Sequence, residues 1–373
     1  MTKNQHLGFI DQLRGIAILL VVFSHTFAYA GVVYHAPLSK TNSSLDLGSV
    51  AGFITTSIFC NGSLGVILFF VLSGFCIRWS HLHARAFSLK DFYLRRAFRI
   101  YPTYIIWLGI FAAVMSAPNW DIIVHALMLH NFFASSFHSI NPPLWSIALE
   151  WQIYLFYPAI LFITRRLDPK LILIVTALIG AVSAALASST ARQWLHSPFI
   201  EAVTRMPTSL LFPWMLGFYL AEQLYSGKPF KTNGWRLAAT AAIALLVESY
   251  EKNQLLRVIV LSLFASQLLA MCCNHSKRLA SLPLRPLGFI GLVSYSIYLG
   301  HDMVAHFYTS IERTFSLPRS SFPAGLLASL ACLPIFILIG WVSYCLFEKP
   351  GISAGSLFRR HLVSNKTSNQ AKS

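Results

Sequence analysis

Long apolar runs alternate with short polar stretches along almost the whole chain. The runs predict helices at 9–33, 63–79, 100–116, 144–163, 171–189, 207–225, 237–249, 255–272, 289–310 and 324–347. Most are close to the roughly 17–25 residues that a helix needs to cross the hydrocarbon core of a bilayer. The expected fold class is therefore an all-α integral membrane bundle of about ten transmembrane helices, with the N- and C-termini both cytoplasmic. The first run, Ile16 to Ala30, lacks a small-residue cleavage site and is followed by further spans, so it reads as a retained first helix.

The stretch 121–136 is apolar enough to make an eleventh span, and charge decides against it. With ten spans and a cytoplasmic N-terminus, 22 of the 29 Lys and Arg fall on inside pieces, as the positive-inside rule asks. Making 121–136 a span would move the Arg165-Arg166-Leu167-Asp168-Pro169-Lys170 loop outside. The stretch is expected to be an external or re-entrant helix.

Composition removes the main alternative, a pair of soluble domains. Apolar residues are 55% of the 373 and charged residues 11%, against about a quarter charged in soluble domains. A net charge of +16 invites a nucleic-acid partner, but the basic residues are spread over the loops between spans, which argues against one. Cys60, Cys76, Cys272, Cys273, Cys332 and Cys345 show no metal-ligand spacing and sit in or beside apolar segments. Neither a metal site nor a disulfide framework is expected. Residues 1–350 read as one transmembrane domain and 351–373 as a polar, basic cytoplasmic tail, disordered at its tip, with no appended soluble domain.

An ionisable residue in a span costs roughly 2.5–3.5 kcal/mol on insertion scales, so each needs a reason. Arg14 and His25 are eleven residues apart, close to three helical turns, which puts them on one face and about 16 Å apart along the axis. Asp11 lies one turn before Arg14 and can pair with it. Glu150 and Tyr154 are neighbours on one face, and Ser294, Tyr298 and His301 form a helical stripe, with the adjacent Asp302 pointing elsewhere. Arg95, Arg96 and Arg99 crowd a basic loop, 91–102, where guanidinium forks can touch lipid headgroups or hold phosphate. The Ser73-Gly74 step suits close helix approach. Each of these features also has a plain structural reading, as an orientation anchor, an interhelical hydrogen bond or packing.

Their order along the chain is more specific. RGIA at 14–17 with His25 downstream is followed by FFVLSGF (69–75), RRAFRIYP (95–102), LWSIALEWQIYLFYP (144–158), SYSIYLGH (294–301) and FEKP (347–350). In this arrangement the chain resembles acyltransferase family three, the bacterial membrane O-acyltransferases of lipopolysaccharide, exopolysaccharide and related glycoconjugates, from Asp11 to Pro350. The resemblance implies transfer of an acyl group, commonly acetyl from acetyl-CoA, to a carbohydrate hydroxyl at the bacterial inner membrane, with no permanently bound cofactor. It maps the family's essential Arg and His to Arg14 and His25, its cytoplasmic arginines to Arg96 and Arg99 beside Arg95, and its motif Glu to Glu150. The chain departs from the pattern at Asp302, where members often carry Trp or Pro.

The chemistry then expected is general-base catalysis by His25, an imidazole being suited to proton transfer near neutral pH. A short-lived acyl-histidine is the covalent alternative. Glu150 is expected to orient the imidazole, and Arg14, Arg96 and Arg99 to hold CoA phosphates at the cytoplasmic face, with a glycan or glycolipid approaching from outside. Ser73, Tyr298 and His301 are expected to contact substrate or support the site. Two other readings stay open: a polytopic transporter, whose path would also carry His, Glu and Arg, and an acyltransferase of a small-molecule or lipid-linked acceptor.

Overall fold

In the computed structural model, residues 8–30, 57–59, 61–84, 87–186, 205–228, 230–250, 254–280, 282–315 and 322–370 are described, and among them every regular element is helical. The longer helices are α1 (Gly8–Tyr29), α2 (Gly62–Leu82) and α3 (Leu89–Val114). A short α4 (Asn119–Ala126) precedes α5 (Leu144–Thr164), α6 (Pro169–Leu186) and α7 (Thr208–Tyr225). Then come α8 (Gly234–Tyr250), α9 (Gln254–Asn274), the short α10 (Ser276–Ala280) and α11 (Arg285–Leu292), α12 (Ser294–Phe315), α13 (Phe322–Ser343), a π turn (Tyr344–Glu348) and α14 (Lys349–Gln370). The expected helix ends at 33 and 189, Cys60, and the loop cations Lys40, Arg192, Lys252 and Arg319 lie outside the described residues.

Six helical stretches are long and apolar enough to cross a membrane by length and composition: α1, α2, α3, α5, Leu256–Asn274 in α9, and the run Phe322–Arg359 through α13 and the π turn. Among the described residues all ten predicted segments are helical in the main, and the other four are not among those six stretches. Two of these, α6 and α8, are short apolar helices, of 18 and 17 residues. Polar groups interrupt the other two, Glu222 and Gln223 in α7 and His301 and Asp302 in α12. On α6, Ile174, Leu178 and Val182 stand more than half exposed along one stripe. In water such a ridge would drive aggregation; in a bilayer it meets lipid.

Close helix crossings hold the bundle together. Any Cβ on Gly74 would lie 1.9 Å from the Trp214 carbonyl oxygen, and one on Gly217 would lie 1.9 Å from that of Val71. The backbones of α2 and α7 therefore touch at two facing glycines, the small-residue packing that lets helices associate without a hydrophobic gradient. Gly15 and Gly291 do the same for α1 and α11, with Cβ positions 2.3 Å from the Leu287 carbonyl and 1.7 Å from that of Asp11.

Three local expectations are corrected. The basic segment 91–102 is the first half of α3, whose start is capped by Ser88 accepting from the Asp91 amide at 3.3 Å. The run 289–310 is divided at Val293 between α11 and α12. The segment read as a polar tail is helical to Gln370 and packs on α3, where the Phe358 and Phe98 rings lie tilted to each other with centroids 6.0 Å apart.

The stretch 121–136 is no span. It contains the eight-residue α4 and a 3-10 turn (His130–Phe132), joined through Met128 at φ 54. It is anchored from α5, where Gln152 donates to the Met128 carbonyl at 2.8 Å and to Asn131 Oδ1 at 2.7 Å. Trp120, Ile123 and Leu127 face outward while Val124 and His125 are buried.

Candidate functional site

One cavity of about 270 Å³ gathers most of the residues singled out by chemistry. It is lined by Arg14 from α1, Ser73 from α2, Arg96 and Arg99 from α3, Glu150 and Tyr154 from α5 and Tyr298 from α12. Along α2 its wall runs from Ser80 to Val66; fourteen residues at the helical rise make this about 21 Å. The space is thus long and narrow.

The arginines give it a positive character. Arg14 is ion-paired to Asp11 at 3.2 Å. Arg96 lies over the Tyr154 ring at 5.3 Å and has its Nε buried without a hydrogen-bond partner. Among the described residues no carboxylate lies within ion-pair distance of Arg96 or Arg99. A buried donor without a partner is costly, so the free Nε of Arg96, with Arg99 beside it in the field of Glu348, marks a place for an anion on this wall. Arg95 is turned away from the cavity. It is exposed and pairs with Asp91 at 2.6 Å, and Asp91 also binds Arg359 of α14.

Glu150 is the cavity's carboxylate. It accepts a short hydrogen bond from Tyr154, whose hydroxyl oxygen is 2.8 Å from Ser73 Oγ. The i, i+4 pairing read from sequence is thus made, and Ser73 joins it. Gly74, the next residue, supplies the helix contact described above, so the Ser-Gly step serves the cavity and the packing at once.

His25 is not a lining residue of this cavity, and its carboxylate partner is not Glu150. Its Nδ1 faces Asp302 Oδ1 at 3.6 Å, and the same oxygen accepts from Tyr29 at 3.0 Å. His301 stands edge-on to His25 with ring centroids 4.8 Å apart. It is fully buried, its Nδ1 lies 2.6 Å from the Tyr298 carbonyl, and its Nε2 has no partner. Two expectations are corrected here: Asp302 points to the same helix as His301, and the residue against the first-helix histidine is this aspartate. Adjacent residues on α12 can both reach α1 because α1 packs along that face.

The histidine pair lies just beyond one end of the cavity. Tyr298 lines the cavity and has its ring 5.4 Å from His301. Val66 lines it one turn from Gly62, which abuts Ser24, the neighbour of His25. The site thus has two parts: a basic cavity, and an imidazole–carboxylate group behind the Tyr298 wall.

Sequence reasoning missed three contributors. Tyr29 is four residues after His25, a spacing that marks a shared face. Ser146 sits 2.6 Å from the Tyr298 hydroxyl. Glu348 of the FEKP motif is buried and accepts from Ser296 at 2.8 Å, tying the π turn to α12.

Fold and site together define a multi-pass membrane protein with an anion-suited cavity next to a histidine held by a carboxylate. The chain belongs to acyltransferase family three: the family model described as an acyltransferase domain matches residues 7–344. It is 25% identical to the putative peptidoglycan O-acetyltransferase YrhL of Bacillus subtilis, over 83% of this chain and 51% of that protein. It is 24% identical to the peptidoglycan O-acetyltransferase OatA of Listeria monocytogenes over 80% of this chain, and spans about half of that relative too, 49%. It is 26% identical to the acyltransferase MdmB of Streptomyces mycarofaciens over 78% of this chain and 80% of that protein. No solved structure matches it.

Proposed function

We propose that the protein transfers an acyl group, acetyl in the simplest case, from acyl-CoA to a hydroxyl of a cell-surface glycan. The observation that carries this reading is the narrow cavity with Arg96 and Arg99 outside ion-pair distance of any carboxylate among the described residues at one part of its wall and the His25 group beyond the other. At about 270 Å³ it lies near the lower end of ligand-pocket sizes, which suits a slender thioester arm and leaves the donor's phosphates at the arginines.

Each guanidinium offers forked donors that match phosphate oxygens. Arg14, Arg96 and Arg99 hold the donor, and Glu150, through Tyr154 and Ser73, keeps the wall between them polar. Arg95 is assigned to the Asp91–Arg359 contact instead. At the Tyr298 end, His25 takes the proton of the acceptor hydroxyl as its oxygen attacks the thioester carbonyl. The carbon–sulfur bond then breaks, and the imidazolium returns that proton to the leaving thiolate. Acyl-CoA is a substrate in this scheme, and no resident cofactor or metal takes part.

For topology, we take ten spans with both termini cytoplasmic, in the bacterial inner membrane, so that the arginines face the cytoplasmic donor and the acceptor arrives from the other side. Within the acceptor class, lipopolysaccharide O-antigen, exopolysaccharide and peptidoglycan are all polyhydroxylated; the names of YrhL and OatA point to the last. Mass spectrometry of each surface glycan from a deletion strain tests the reading. Loss of one acyl mass from one glycan, restored by the cloned gene, is expected; unchanged acylation of every glycan would contradict it and favour transport.

A further inference from the structure

A carboxylate at Asp302 is expensive where it stands. Its side chain is 8% exposed, on a helix among apolar neighbours, and desolvating a charge costs several kcal/mol unless partners repay it. Its partners among the described residues are Tyr29, which donates at 3.0 Å, and His25, whose Nδ1 is 3.6 Å away. The two come from α1 and are four residues apart, so one turn of that helix delivers both to a single carboxylate oxygen. His301 closes the arrangement from α12, its ring edge-on to His25.

We infer that Asp302 is the positioning residue of His25, holding its Nδ1–H so that Nε2 is the nitrogen offered to the acceptor hydroxyl. The inference rests on the reading of His25 as the general base. A base is effective only in one tautomer and one orientation, and a carboxylate on the far nitrogen sets both. The same negative charge stabilises the imidazolium that forms while the proton is on the ring. The 3.6 Å separation is long for a hydrogen bond and suits a resting site, since such contacts tighten when substrate is in place. Tyr29 keeps the carboxylate aimed along α1, and the His301 edge limits rotation of the His25 ring.

A purely structural role would make Asp302 a tie between α1 and α12 through Tyr29. Asp302→Asn separates the two, because the amide oxygen still accepts from Tyr29 while the charge facing His25 is gone. The assay is acyl transfer in proteoliposomes, with acetyl-CoA as donor and the glycan fraction of a deletion strain as acceptor, alongside Asp302→Glu and His25→Ala. The expected result is a kcat about 100-fold or more lower for Asp302→Asn, with both KM values and thermal stability near wild type and partial recovery in Asp302→Glu. A wild-type kcat in Asp302→Asn beside an inactive His25→Ala would overturn the positioning role alone. So would a loss explained by higher KM or by unfolding. Full transfer by His25→Ala would remove the general-base reading on which the inference stands.

Discussion

The hydroxyl of Tyr298 lies 2.6 Å from Ser146 Oγ and donates to the Pro143 carbonyl at 3.0 Å. These two contacts pin the ring between the arginine-lined cavity and His301, and they make Tyr298 a wall rather than a loose lining residue. Tyr298→Phe should keep the wall and lose about 1 kcal/mol of stability for the missing hydrogen bond. Tyr298→Ala should open the site to water. Release of free CoA thiol in the absence of any acceptor should then rise above the wild-type rate; an unchanged rate would mean that the ring excludes nothing.

Arg96 and Arg99 should matter to the donor in a way that Arg95 does not. A charge-assisted hydrogen bond contributes about 1.5–3 kcal/mol, so Arg96→Ala or Arg99→Ala should weaken acetyl-CoA binding by roughly tenfold to 100-fold. Arg95 is paired to Asp91 outside the cavity, and its alanine variant should bind within about twofold of wild type, surface pairs being worth little. Calorimetric titration of the three variants with acetyl-CoA compares them directly. Equal losses in all three would show that the basic cluster acts only as a diffuse field.

The crossing of α2 and α7 leaves no room for a side chain. Gly217→Leu would drive its Cβ onto the Val71 carbonyl, and a backbone clash cannot be relieved by a rotamer change, so the loss should exceed the usual 1–3 kcal/mol or so of overpacking. Gly109→Leu is the control, since nothing lies within 4 Å of its Cβ position. Thermal unfolding in detergent should show a much lower midpoint for the first and little change for the second.

Acid should destabilise the segment between α4 and α5. Burial, followed by the nearby His125 and His138, pushes His130 down to about 3, and its ring stacks on His125 at 3.9 Å. The folded state therefore holds His130 neutral while an unfolded histidine takes up a proton below about 6.5. Its contribution is present above that value and is lost progressively as pH falls from about 6.5 towards about 3. The unfolding midpoint should drop between pH 7.5 and pH 5, and His130→Phe should flatten that drop. An identical pH dependence in the variant would place the acid sensitivity elsewhere.

Helix positions were largely legible, because apolar runs mark them whatever the packing. The spans' adequacy was less so: α12 carries its polar stripe for the site, and that same stripe lowers its claim to cross a membrane unaided. The start of α3 was written in Ser88 and Asp91, a cap and a first-turn acid, yet the density of arginines suggested a loop. Seeing it as helix also separates the arginines, since Arg96 and Arg99 are three apart on one face and Arg95 is turned from them. Glu150, Tyr154 and Ser73 could be named but not joined, for their meeting depends on how α2 lies on α5. Asp302 was visible as an acid in an apolar helix; what it faces is a property of the α1–α12 contact, which no local spacing records.

The most direct test of the account is acyl transfer by purified His25→Ala in proteoliposomes, measured together with its binding of acetyl-CoA. Donor binding near wild type with transfer reduced to background is the predicted result, because the arginine cavity and the histidine group are separate parts of the site. Transfer at the wild-type rate by that variant would contradict the account.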